Sequence, residues 1–229
     1  MQVSKNAWYA VITVDFIGFS PLPPATREAL YHLVKQGSGR LQELFPETMP
    51  EPVEVYRGDA WQMLLVRPAA AFRAGLWFRA FIRARAALRK IDVRMAIGVG
   101  PVDYVPEGRV SAGDGTAFRL SGKLLESISA PRAGTFRFAL DGSPAALAID
   151  DLAVLAGEIA GKWSPGQARA VEGALAGLTR QQIASDWGGP ISSQAVSGHL
   201  RRAGWPSIRH AAAMYEAGLN ALMSPAAGT

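Results

Sequence analysis

Ala7 to Phe16 read Ala-Trp-Tyr-Ala-Val-Ile-Thr-Val-Asp-Phe, a β-branched and aromatic run with one carboxylate near its end. A strand of this kind has no polar face to turn to water, so it must be covered on both sides. The chain therefore needs a sheet with other elements packed on each face. With 49% hydrophobic residues in 229, it has the apolar content to build one.

The sequence after that strand fits the requirement. Ile17-Gly-Phe-Ser leads to Pro21, Pro23 and Pro24, which break the chain, and helical periodicity follows from Thr26 to Phe45. Val53 to Arg57 and Ala60 to Val66 read as a hairpin turning at Gly58-Asp59. Pro68 to Arg89 is helical and carries Arg73, Arg79, Arg83, Arg85 and Arg89. That basic set either attracts phosphates or forms a solvated face. Asp92 to Val102 is a strand with glycines where another backbone can approach. A helix from Thr116 to Ile128 and a short strand from Thr135 to Leu140 complete the order β-α-β-β-α-β-α-β, a sheet covered by helices.

The pattern changes at Asp141-Gly-Ser-Pro144, and only helical periodicities follow. The expected organisation is a domain at 1–143 and an all-α domain at 144–229, with Ala145 to Trp163 as a connecting helix and a disordered tail from Ser224 to Thr229. The N-terminus lacks the profile of a signal peptide and no membrane span is expected, so the chain reads as cytoplasmic. There is no cysteine, which rules out disulfides, Cys-zinc sites and thiol nucleophiles, and three scattered histidines speak against a His-rich metal site. The net charge of +5 suits contact with phosphates.

Asp15 closes the first strand and Asp59 sits in the hairpin turn beside it. Two carboxylates from neighbouring strands can hold magnesium, which favours oxygen ligands and substrate phosphates. Both are equally readable as ordinary polar residues at strand ends. Val11-Ile-Thr-Val-Asp-Phe-Ile-Gly-Phe-Ser and Tyr56-Arg-Gly-Asp-Ala-Trp-Gln-Met-Leu-Leu resemble the metal strand and Gly-Asp hairpin of class III nucleotidyl cyclases. The hairpin is also similar to that of diguanylate cyclases. Val93-Arg-Met-Ala-Ile-Gly-Val-Gly-Pro-Val and Ala112-Gly-Asp-Gly-Thr-Ala-Phe-Arg-Leu-Ser resemble the strand and helix that follow. The combination is most similar to the SatD family, a cyclase-related palm.

Over residues 8–140 this resemblance implies an α/β (α+β) ferredoxin-like palm of nucleotidyl cyclase type. It further implies Mg2+ at Asp15 and Asp59, a nucleotide beside Phe16, Gly18, Phe19, Arg57 and Gly58, and head-to-tail pairing into a homodimer. The sequence departs from the cyclase pattern at other sites. Val55 stands where those enzymes carry a base-reading lysine, and Ala117 and Ser121 where they carry asparagine and arginine. Arg119 and Lys123 lie nearby as substitutes for the missing cations.

Leu178 to Gly204 carries the second motif, a helix-turn-helix. Thr179 caps a first helix whose apolar face holds Ile183, Ala184 and Trp187, and Gly188-Gly189-Pro190 breaks it. Ser192 caps a second helix, from Ser193 to Ala203, with Ala195, Val196 and Leu200 inward. Ser193, Gln194, Ser197, Arg201 and Arg202 point outward, with Thr179, Ser192 and His199 as further DNA contacts. Gln can pair with an adenine edge, while Ser and Arg can hold phosphates. Between Leu178 and His210 four arginines stand against one aspartate. The wording resembles that of bacterial regulators and implies double-stranded DNA as partner. A hairpin of helices that only packs or dimerises is the competing reading. A further amphipathic helix runs from Ser207 to Met223.

The expected function is a DNA-binding transcriptional regulator whose palm domain binds or senses a nucleotide. The alternatives are a metal-dependent nucleotidyl cyclase or nucleotidyltransferase, and a palm that serves only as a scaffold.

Overall fold

The computed structural model describes residues 3–4, 7–56, 58–86, 91–128, 134–143 and 146–223. Arg57, Arg89, Pro144 and the tail from Ser224 lie outside the described residues. The first half runs β1 (Tyr9–Ile17), α1 (Pro24–Leu44), β2 (Glu54–Tyr56), β3 (Ala60–Leu65), α2 (Ala71–Arg85), β4 (Asp92–Gly100), β5 (Val102–Tyr104), β6 (Asp114–Gly115), α3 (Thr116–Ser127) and β7 (Phe136–Leu140). Among its described residues the second half contains only helices and the turns between them: α4 (Ala146–Gly161), α5 (Pro165–Leu175), α6 (Arg180–Ser185), α7 (Ser193–Arg202) and α8 (Trp205–Met223).

Five strands form one sheet in the order β2-β3-β1-β4-β7. The apolar run of β1 takes the centre, antiparallel to β3 and β4, while β7 joins β4 in parallel. This is a mixed α/β sheet with several helices, an arrangement consistent with a palm-like fold. The small β5-β6 pair was not anticipated from the sequence.

Alternation along β1 divides its side chains between two cores. Ala10, Ile12, Val14 and Phe16 join the cluster under α1 and α2, while Tyr9 and Val11 join Val102, Ala117 and Phe118 under α3. Gly98 explains how closely α3 approaches. A Cβ there would lie 2.3 Å from the carbonyl oxygen of Ala117 and 2.5 Å from the amide of Ser121. Beneath the helix, Gln62 donates to Thr13 at 3.1 Å, and the Thr13 and Ser121 hydroxyls meet at 2.8 Å.

Neither expectation for the α2 arginines holds at Arg79, Arg83 and Arg85. Arg79 is fully buried, forks onto Asp92 at 2.9 and 2.7 Å, and donates to the carbonyl of Gly157 at 3.0 Å. Arg83 shares Asp92 and reaches the carbonyl of Trp163, Arg85 forks onto Glu172 at 2.6 and 2.9 Å, and Arg73 donates to the carbonyl of Leu175. These bonds join α2 to β4, α4 and α5: Arg79 is enclosed and Arg83 and Arg85 are half-buried, while Arg73 stays exposed although it donates to a carbonyl.

The core does not stop at residues 141–144. The cluster under α1 and α2 runs on through Ile149, Ala153, Val171, Ile208 and Tyr215. Tyr215 of α8 is fully buried. Its ring stacks on Phe72 at 5.0 Å and meets Phe138 edge-on at 5.3 Å, and its hydroxyl donates to the carbonyl of Pro68 at 3.3 Å.

Candidate functional site

The carboxylate corner lies at the end of β1. Asp15 pairs in register with Ala60 on one side and Arg94 on the other. The Phe16 amide donates to the Asp59 carbonyl at 3.2 Å, which fixes the hairpin turn against β1. Arg94 forks onto both oxygens of Asp15, with its Nε 2.9 Å from Oδ1 and its Nη2 hydrogen-bonded to Oδ2. Burial raises the Asp15 carboxyl above its ordinary range. The Arg94 guanidinium pulls it back, and the negative charge of Asp59 adds to the rise.

This arrangement does not fit the expected magnesium. Magnesium needs free carboxylate oxygens in near-octahedral geometry. Arg94 already donates to both oxygens of Asp15, and its positive charge beside that carboxylate repels a second cation. Among the described residues, no group of three or more His, Asp or Glu side chains is placed to hold a metal.

The other expected nucleotide contacts scatter. Phe16 and Phe19 are buried, with rings 5.5 Å apart and nearly parallel, and Phe16 also packs 4.7 Å from Trp61. By strand alternation Phe16 faces away from Asp15. Gly18 and Gly58 are exposed in turns, and Arg57 lies outside the described residues. Arg119 is exposed and pairs with Asp114 at 2.8 Å and Asp103 at 3.6 Å, and Lys123 is exposed as well. Ala117 and Ser121, aligned with the cyclase transition-state positions, are buried against the sheet instead. The chemical groups that remain at the corner are two carboxylates and one guanidinium.

The second candidate is built by α5, α6 and α7. Ser164 and Gln167 form a reciprocal capping box at the start of α5, and Thr179 and Gln182 form another at α6. Ser192 caps α7 by accepting from the Ala195 amide at 3.1 Å. Ile183, Val196 and Leu200 turn inward. Gly204 follows α7 at φ +70°, the left-handed conformation that suits a residue just past a helix end.

Thr179, Ser192, Gln194, Arg201 and Arg202 are exposed, while Ser193 and Ser197 are half-buried. Ala195, expected in the core, is exposed beside Gln194. His199 faces its own helices rather than a DNA groove. Its ring stacks on Trp187 at 5.4 Å, and a Cβ on Gly166 would come within 2.8 Å of it. Burial, and then the charge of Arg202, lower its pKa.

Sequence reasoning missed Arg94, Arg180 and Arg209, and did not separate α5 from its neighbours. The pattern Ser164-Pro-Gly-Gln167 is the signal that marks the start of α5. Arg94 had no local signal, because its partner is distant in the chain.

No protein-family model and no curated protein matches the chain. Among solved structures, the crystal structure of the guanylyl cyclase Cya2 overlaps it with a TM-score of 0.39 at 15% identity. The match covers 56% of this chain and 73% of that one. That overlap is too slight to assign an activity. No helix among the described residues is long and apolar enough to cross a membrane.

Proposed function

We propose that this chain is a DNA-binding transcriptional regulator in which α6 and α7 form a helix-turn-helix and α7 is the recognition helix. The observation that carries the reading is the outer surface of α7. Gln194, Arg201 and Arg202 stand exposed on it, and neither arginine has a carboxylate or carbonyl partner among the described residues. Such a surface suits base edges and phosphates. The two capped helices before it pack against its inner side. Two copies of the chain would bring two recognition helices to neighbouring half-sites, so the active species is a homodimer.

Selection from random duplexes tests this reading. A defined sequence should be enriched, Gln194→Ala should relax the preference at one position, and Arg202→Ala should weaken binding to every sequence. Failure of the wild-type chain to retain any duplex would overturn it.

For the sheet domain we propose nucleotide sensing without a metal, with SatD-like and cyclase-like kinship resting on the Asp15 strand and the Gly58-Asp59 hairpin. Arg94, whose Nε and Nη2 are engaged by Asp15, would meet a ligand phosphate through its Nη1. Melting the protein with a panel of nucleotides, with and without magnesium, tests it. A ligand at about 100 times its dissociation constant adds about 2.7 kcal/mol of stability. The shift should persist without magnesium and vanish in Arg94→Ala. Magnesium-dependent pyrophosphate release lost in Asp59→Ala would instead make the domain an enzyme.

A further inference from the structure

Beside α7 lies an open groove of about 550 Å³, bordered by the start of α6, one side of α7 and the first turns of α8. Its charged lining is Arg180 from α6, Arg201 from α7 and Arg209 from α8, and no acidic residue borders it. All three arginines are exposed. Arg180 donates to the Ser197 hydroxyl at 3.0 Å, which holds its guanidinium over the gap between α6 and α7. Arg201 and Arg209 have no hydrogen-bond or ion-pair partner among the described residues.

Arg79, Arg83 and Arg85 on α2 show what this chain does with an arginine it uses internally: each is given a carboxylate or a carbonyl. The groove departs from that rule three times in one place. Like charges gathered without counter-charge repel one another, and an external anion relieves the repulsion. Three cations along one open groove match a polyanion better than a single monovalent anion.

Resting on the reading of α7 as a recognition helix, we infer that this groove seats the DNA phosphate backbone, with Arg180 and Arg209 as phosphate contacts beyond those of α7. The guanidinium fork is suited to phosphate oxygens. A strand of backbone held between α6 and α8 sets the depth and register at which α7 meets the base edges. The helix after the recognition helix thereby takes part in binding as well as packing. Arg209 carries no sequence information, so its contribution is the same on every duplex.

The test is binding of the full chain to fluorescein-labelled mixed-sequence duplexes, followed by anisotropy between about 50 and 200 mM salt. Each lost phosphate contact should reduce the slope of log K against log salt by about 0.9. Arg209→Ala and Arg180→Ala should each show that reduction, with affinity falling by a similar factor on every sequence. Arg209→Lys should keep most of the wild-type slope, and Lys35→Ala on α1 should keep all of it. Circular dichroism melting separates loss of contact from loss of fold, and Arg209 is the cleaner probe because it has no hydrogen-bond or ion-pair partner among the described residues. An unchanged slope in Arg209→Ala overturns the inference and leaves the reading of α7 intact. A loss confined to particular sequences also overturns it, since Arg209 would then be reading bases. If the wild-type chain binds no duplex, both fall together.

Discussion

The arginines of α2 and those of α7 have the same chemistry but opposite surroundings. Arg79 is wholly enclosed and neutralised by Asp92, and Arg85 is matched by Glu172. Arg201 and Arg202 face outward with no acceptor among the described residues. The first set binds the protein to itself, while the second is free to bind something else. A count of basic residues along the chain cannot distinguish them, because the distinction lies in what each guanidinium meets after folding.

The largest effect should come from Arg79→Met. It would leave Asp92 buried beside one remaining arginine, and breaking a buried pair in this way costs about 3–5 kcal/mol. Urea unfolding would measure the loss. A change below about 1 kcal/mol would mean that the α2 arginines are not the internal ties described here. The contrasting variant, Arg201→Ala, should stay within about 0.5 kcal/mol of wild type in the same assay while weakening DNA binding. If Arg201→Ala destabilises the fold as Arg79→Met does, the comparison collapses.

The smallest and sharpest effect concerns Asp15, where an internal arginine and a buried carboxylate compete. Carbon-13 NMR should place its titration above the ordinary value of 3.8. Arg94→Ala should move the midpoint higher, and Asp59→Asn should move it lower. The folded protein then holds this proton more tightly than the unfolded chain does. The associated stability is present below the unfolded value and is lost as pH rises through the folded one. A midpoint below 3.8 would show that Arg94 outweighs burial.

Much of the scaffold was readable before folding. The apolar run of β1 required two covered faces and received them, and Thr179, Ser192 and Gly204 marked helix ends by local chemistry alone. Local rules failed where distant residues decide. Arg94 meets Asp15 across 79 positions and Arg85 meets Glu172 across 87, so neither pairing leaves a mark in any short window. The sequence of α2 did hold a warning. Ala-Phe-Arg-Ala-Gly-Leu-Trp-Phe-Arg-Ala-Phe-Ile is apolar nearly all round, and a helix of that kind is enclosed, Arg79 included. His199 misled for a similar reason: its position on α7 suggested an outward ring, but Gly166 and Trp187 leave a slot that draws it in.

The seat of Tyr215 bears on the order of events during synthesis. The ring that packs between Phe72 and Phe138 is translated long after both, so the aromatic layer over the sheet cannot close while the ribosome is still making the helices that follow it. A nascent sheet domain would wait with an apolar gap exposed, a state prone to capture by chaperones or by another unfinished copy. The aromatic layer of the first half is thus completed only by a helix from the second.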